Sequence, residues 1–282
     1  MYGQPRRCMS VFVMSEEQQR TSSKRRRGIY LLPNLFTTAA LFAGFYAIVA
    51  AIGARFEEAA VAIFVAMVLD GLDGRVARMT NTQSAFGAEY DSLADMISFG
   101  LAPALVMYLW SLQDMGKLGW LAAFIYTAGA ALRLARFNTQ LGTADKRFFQ
   151  GLPSPSAAAI LAGLVWVGHD YRLDGGDLTW ISLFFTVAAG LLMVSNVRFY
   201  SFKELDMKGR VPFVALLVLV LIFVLVSLDP PQVLFATFLL YALSGPVVTI
   251  WMLMRRRRQR LAGGEQGKHP AAKDGEEGEK RP

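Results

Sequence analysis

Long apolar runs separated by short polar breaks set the rhythm of this chain. Eight stretches, Leu31 to Ala54, Ala59 to Arg78, Leu93 to Leu112, Leu118 to Phe137, Ser154 to Asp170, Leu178 to Asn196, Val211 to Leu228 and Val233 to Met254, are each close to the length a helix needs to cross a bilayer. Such runs predict helices, because an isolated strand leaves its backbone polar groups unsatisfied in hydrocarbon. The fold class predicted is therefore all-α: a polytopic integral membrane helical bundle of about eight transmembrane helices. The hydrophobic fraction of 54% fits that class. The internal polar connections, 138 to 153 and 197 to 210, are too short to fold as independent domains.

Charge adds an orientation. Positive residues are retained on the cytoplasmic side during insertion. With the N-terminus inside, the external segments hold only Arg55, Lys117 and Arg172, while KRRR at 24 to 27 and RRRRQR at 255 to 260 fall inside. Both termini are thus predicted to be cytoplasmic, in a cell membrane, and the net charge of +7 calls for no nucleic-acid partner. RRRRQR serves either as a retention signal or as a contact for anionic membrane lipids. The first 28 residues read as a basic tail without a cleavable signal pattern, with Met14 an alternative start. Residues 255 to 282 read as a basic, low-complexity tail. Cys8, the single cysteine, allows no intrachain disulfide. Trp110, Trp120, Trp166 and Trp180 lie near span ends, where indoles commonly form interfacial belts.

Against this background, LDGLDGRVARMTNTQSAFGAEYDSLADMISFG at 69 to 100 is anomalous. It places Asp70, Asp73, Asp91 and Asp95 at the cytoplasmic ends of spans two and three, where an uncompensated carboxylate is costly. Spacings of three and four put each pair on one helix face, and the polar link from about Thr80 to Ala88 lets the helices return antiparallel. A lone aspartate there commonly caps a helix or forms a salt bridge. Four convergent carboxylates repel one another unless cations hold them, and an all-oxygen set suits Mg2+, Mn2+ or Ca2+. Gly71, Gly74 and Gly87 leave room beside the acids, and Arg75 and Arg78 suit phosphate.

The pattern Asp70-x-x-Asp73-Gly74-x-x-Ala77-Arg78, eight residues, then Gly87-x-x-x-Asp91-x-x-x-Asp95 resembles the signature of the CDP-alcohol phosphatidyltransferases. The resemblance implies a membrane enzyme, with a six-helix core and two additional C-terminal helices, that moves a phosphatidyl group from CDP-diacylglycerol to an alcohol and releases CMP. It further implies two divalent cations, Mg2+ or Mn2+, on Asp70, Asp73, Asp91 and Asp95, with Asp95 also the general base. Asp70, Gly74, Arg78 and Ser84, with Asn34 and Thr37 of PNLFT, match positions that bind CDP-diacylglycerol in that family. PNLFT also fits a plain helix start, with Pro33 in the first turn. A homodimer is a further family expectation.

DSLADMISFGLAPA at 91 to 104, RLARFN at 133 to 138, FQGLPSPSAAA at 149 to 159 and SNVRFYSFKEL at 195 to 205 resemble the branch of that family that uses L-serine. Arg133, Arg136, Asn138 and Ser154 are the serine-binding candidates, the arginines suiting the acceptor's carboxylate; the alternative for both arginines is positive-inside anchoring. The organisation expected is a catalytic membrane core over 29 to 205, then two helices over 206 to 254 whose apolar uniformity suggests peripheral packing or assembly. Other acceptors, namely glycerol 3-phosphate, inositol phosphate and inositol, stay open. So does a divalent-cation transporter, which would need acids reachable from both faces. His169 and His269 lack the pattern of a histidine nucleophile, and no GxxxxGK[ST] loop is present.

Overall fold

The computed structural model describes residues 33–80, 84–140, 148–200 and 213–266. Cys8, Met14, KRRR at 24 to 27, His269, the last sixteen positions and part of the link after Thr80 lie outside the described residues. Within them the chain forms α1 (Pro33–Ile52), α2 (Phe56–Thr80), α3 (Ala85–Met115), α4 (Lys117–Gln140), α5 (Ser154–Asp170), α6 (Thr179–Val194), α7 (Phe213–Leu228) and α8 (Pro230–Gln266). One helix stands for each apolar run. Two three-residue strands, β1 (Phe148–Gln150) and β2 (Arg198–Tyr200), pair antiparallel with Phe149 opposite Phe199. This small pair is the only addition to the all-α expectation among the described residues. It overlaps two of the stretches, at 149 to 159 and 195 to 205, that carry the serine-branch likeness.

The protein is an all-α polytopic membrane protein. Pro33–Ile52, Ala85–Met115, Lys117–Thr139 and Pro230–Thr249 are each long and apolar enough to cross a bilayer by themselves. The other predicted spans fall short of that measure for visible reasons: α2 carries Glu57, Glu58, Asp70 and Asp73, while α5, α6 and α7 have 17, 16 and 16 residues.

Small residues let the helices approach closely, the usual way of building a bundle where lipid supplies no hydrophobic drive. On α5, Ala157, Ala158, Ala159 and Ala162 are all buried, and α5 packs against α2, α6 and α8. Helices α4 and α6 cross where Gly129 meets Gly190; a Cβ on Gly129 would come within 2.6 Å of the Gly190 carbonyl oxygen. Trp110 is not an interfacial anchor. It is buried, and its ring fills the space left by Gly168 on α5, whereas Trp120 and Trp180 do lie exposed.

Helix α3 starts eight residues earlier than its apolar run suggests, because Ser84 caps it by accepting from the Gly87 amide at 3.0 Å. Asp91 consequently lies inside a helix. Directly after Asp95 the helix widens into a π-turn over Met96–Leu101, and a second follows at Tyr108–Leu112. A π-turn shifts the backbone register. The hydroxyl of fully buried Tyr126 donates to the Phe99 carbonyl at 3.0 Å within the first one.

The last two helices differ from one another. α7 packs on α8. α8, expected at the periphery, runs antiparallel along α5: Gln232 Nε2 donates to Asp170 Oδ2 at 2.8 Å, Phe235 covers Gly163, and farther on α8 reaches β2. The reason is local: Gly163, Ala242 and Gly245 keep the contact faces small.

Candidate active site

The end of α1 that begins with Pro33, the C-terminal end of α2 and the N-terminal half of α3 meet at one end of the bundle. Their junction is polar in an otherwise apolar surround. Thr37, buried in the second turn of α1, donates its hydroxyl to Asp73 Oδ2 at 2.7 Å. Asn34 Oδ1 lies about where it would touch a Cβ on Gly87, at 3.5 Å. Thr38 and Tyr90 pair through their hydroxyls at 2.9 Å. These contacts are local consequences of PNLFT opening α1 and of the Ser84 cap opening α3.

Within that junction Asp70, Asp91 and Asp95 offer carboxylate oxygens that all lie within 4.8 Å of one another. Asp73, only 5% exposed, is turned toward Thr37 yet remains within electrostatic reach of Asp91. The three-residue and four-residue spacings therefore do converge. Three like charges this close repel by several kcal/mol at the effective dielectric of a protein, on the order of 4 kcal/mol per pair at about 4 Å. A bound cation would relieve that repulsion, and the donor set fits one: hard oxygens, half-buried, with Asp91 Oδ1 buried and lacking any hydrogen-bond partner. Space is also provided. A Cβ on Gly71 or Gly74 would meet nothing within 4 Å, so α2 presents bare backbone beside the acids.

Arg78 folds back along α2, its Nε donating to the Gly74 carbonyl at 2.8 Å, and its side chain is exposed at the helix end. Ser84 is exposed as well, and its Oγ is engaged by the cap. Asn34, Thr37, Asp70, Gly74, Arg78 and Ser84 thus surround one end of the bundle, on three helices.

α4 closes the other side. Arg133 lies beside Asp95, within electrostatic reach, and its Nη1 donates to the Oγ of fully buried Ser154 at 2.7 Å. Its Nε is buried without a partner. A residue serving only as a membrane anchor would send its guanidinium to the surface, so this arginine does more than anchor. Asn138 donates from Nδ2 to Ser92 Oγ at 3.0 Å, tying α4 to the turn between Asp91 and Asp95. Arg136 is engaged differently. It donates to the backbone carbonyls of Gln150 at 3.0 Å and Val194 at 3.1 Å, with those of Met193 and Ser195 at 3.3 and 3.4 Å. It therefore caps the end of α6 and pins β1. Gly151 follows at a φ of 81°, where its missing Cβ leaves room for the Met193 carbonyl.

Arg133 and Ser154 are brought together, Asn138 reaches the aspartate helix, and Arg136 is committed to backbone. Ser92 and Tyr126 join the site through the structure alone. The position of Ser92 between two site aspartates was a usable signal; nothing marked Tyr126, because π-turns have no sequence signature.

A family model described as CDP-alcohol phosphatidyltransferase matches residues 30–192. That range is more than half of the chain and contains every residue of the cluster. The chain belongs to the CDP-alcohol phosphatidyltransferase family. Among curated relatives in that setting, a CDP-diacylglycerol–serine O-phosphatidyltransferase of Helicobacter pylori is 38% identical over 228 residues, covering 80% of this chain and 94% of its own. One of the same name from Mycobacterium tuberculosis is 38% identical over 180 residues, 61% of this chain and 62% of its own. The Saccharomyces cerevisiae enzyme so named is 37% identical over 141 residues, 44% and 50% of the two chains.

Proposed function

We propose that this chain is a phosphatidylserine synthase: CDP-diacylglycerol and L-serine give phosphatidylserine and CMP. The observation that carries the reading is the juxtaposition at Asp95, with Asp70 and Asp91 on one side and the Arg133–Ser154 pair on the other. The names of the bacterial and yeast relatives support the same acceptor.

Two divalent cations, Mg2+ or Mn2+, held by Asp70, Asp73, Asp91 and Asp95, would neutralise the pyrophosphate and the charge that develops on the departing CMP. The chain's own groups do the rest. Thr37 holds Asp73 in place. Asn34, Gly74, Arg78 and Ser84 bind the CDP moiety, the bare backbone at Gly71 and Gly74 allowing close approach. Arg133 binds the serine carboxylate through a charge-assisted contact, which places the serine hydroxyl toward Asp95. Asp95 takes the hydroxyl proton as the serine oxygen bonds to the phosphatidyl phosphorus, and the bond from that phosphorus to the CMP oxygen breaks. Ser154 orients Arg133, Asn138 steadies the Asp91–Asp95 turn, and Arg136 keeps the β1 segment against α6.

The catalytic core spans 29 to 205, its acidic end and both termini on the cytoplasmic side of the cell membrane. The donor enters laterally from the inner leaflet, and two copies associate as a homodimer. The test is CMP release by purified protein given CDP-diacylglycerol, Mg2+ or Mn2+, and in turn serine, glycerol 3-phosphate, inositol phosphate or inositol. Release with serine alone is expected. Release with another alcohol instead would overturn the acceptor while leaving the family chemistry in place.

A further inference from the structure

The end of the bundle opposite the aspartates carries polar chemistry of its own, none of it used by the reaction. A cavity of about 630 Å³ opens between the first turn of α2 and the turn that follows α5, a volume in the range of small-molecule sites. Its wall includes Glu57 on α2, Trp166, His169 and Asp170 on α5, and Arg172 and Asp174 in the turn. Both signs of charge and an indole therefore share one hollow.

The charges are not paired off against one another. His169 Nε2 lies 3.4 Å from Glu57 Oε2, and Asp170 Oδ2 accepts from Gln232 Nε2 at 2.8 Å. Asp174 Oδ1 accepts from the Gly176 amide at 3.4 Å. Among the described residues the Arg172 guanidinium makes no hydrogen bond or ion pair, whereas Arg55, in the α1–α2 turn, is held by Glu58 at 2.9 Å. Arg172 is also placed at a cost. α5 ends in a Schellman turn, the Leu173 amide donating to the Gly168 carbonyl at 2.8 Å and the Arg172 amide to the His169 carbonyl at 3.0 Å. That turn sets Arg172 at a φ of 54°, a left-handed position where glycine is usual. A guanidinium kept there against the backbone preference points to use rather than to folding.

The arrangement also selects the ligand. A bare metal ion does not fit, since among the described residues only Asp70, Asp91 and Asp95 bring three carboxylate or imidazole ligand atoms within 4.8 Å of one another. Acids on several sides and an unpaired guanidinium suit an elongated molecule with a cation at one end and an anion at the other. A primary ammonium donates to the carboxylates of Glu57, Asp170 and Asp174 and lies against Trp166, while a phosphate meets Arg172. The cavity sits at helix ends, the level of the headgroups around a membrane-spanning bundle. We propose that this cavity binds a phosphoethanolamine group, as carried by the headgroup of an aminophospholipid. The site is separate from the aspartate cluster and does not depend on which alcohol is the acceptor.

The experiment uses the full purified chain in detergent and reads its Tm as dihexanoyl phosphatidylethanolamine is added, against the phosphatidylcholine and phosphatidylglycerol of the same chain length. The choline headgroup keeps charge and phosphate but has no N–H to donate, and the glycerol headgroup has no cation. A rise of about 3 °C is expected with phosphatidylethanolamine at roughly tenfold excess over its Kd, and well under that with the other two. Arg172→Gly should melt at or above the wild type without lipid, because glycine adopts the turn freely, and should lose the lipid-dependent rise. Asp174→Asn, an exposed position, should reduce the rise with the lipid-free Tm unchanged.

Equal rises with all three lipids, no rise with any of them, or a full rise retained in both variants would overturn the proposal. A rise with free phosphoethanolamine that matches the lipid at equal concentration would support the binding chemistry and place the source of the group in solution instead of the bilayer.

Discussion

At the scale of single residues, the site depends on which carboxylate is held by what. Asp73 has Thr37 as its hydrogen-bond partner at 2.7 Å, in a buried setting. Thr37→Val should remove that carboxylate's side-chain donor and lower kcat by about tenfold, consistent with the 1–2 kcal/mol scale of a lost buried hydrogen bond; half-saturation by Mn2+ should rise in the same titration, and an unchanged titration would count against the pairing. Arg133 allows a cleaner separation. Arg133→Gln removes the charge but keeps a donor for Ser154, so serine KM should rise by about 10- to 100-fold while CDP-diacylglycerol KM stays put. A loss of both affinities together would speak against a dedicated acceptor contact. Arg136 shows where residue-level reading from sequence stops. RLARFN presents two arginines three apart, alike in every local respect, and only the tertiary structure separates them: one faces Asp95 and Ser154, the other caps α6 and pins β1.

At the scale of elements, the apolar runs located each of the eight helices, because a segment that must bury itself in hydrocarbon announces its length in the sequence. The helix ends were less visible. α3 begins at Ala85, within AFGAEYDS, since a Ser84 cap and exposed polar positions support a helix before the apolar stretch begins. The π-turns behind Asp95 left no trace in the sequence either. They follow from packing: Ser98 donates to the Ala40 carbonyl at 3.1 Å, against Gly44, and Tyr126 satisfies the Phe99 carbonyl. The placement of α8 was also hidden, because a uniformly apolar helix does not reveal which face meets protein and which meets lipid. Gly151 is the element-level hinge of the GLPSPS stretch. Gly151→Ala must adopt a φ of 81° and meet the Met193 carbonyl; it should cost about 1 kcal/mol or more for the backbone alone and lower the Tm in detergent. A Tm equal to wild type would show that the turn relaxes.

At the scale of the whole molecule, the acids and their ring of binding candidates collect at one end, while Glu57 and His169, 3.4 Å apart, mark the other. A one-ended cluster suits an enzyme that meets a lipid donor and a water-soluble acceptor at one interface. It does not suit a carrier, which must open its acids to both sides. In a Cys8→Ser background, Ser84→Cys should react with a membrane-impermeant thiol reagent in inverted vesicles and Arg172→Cys in right-side-out cells; the opposite pattern would invert the orientation proposed. Chelation of divalent cations should abolish CMP release, and Mg2+ or Mn2+ should restore it, because Asp70, Asp91 and Asp95 otherwise repel within 4.8 Å.

The most direct measurement is serine incorporation into lipid by purified protein with CDP-diacylglycerol and Mn2+ or Mg2+, wild type against Asp95→Asn. The substitution keeps the shape and removes the proposed base. Incorporation matched by equal CMP release in the wild type, reduced by about 100-fold or more in Asp95→Asn with both variants folded, is the expected result. Equal incorporation by the two, or none by a folded wild type, would contradict an active site built on Asp95 between the carboxylates and Arg133.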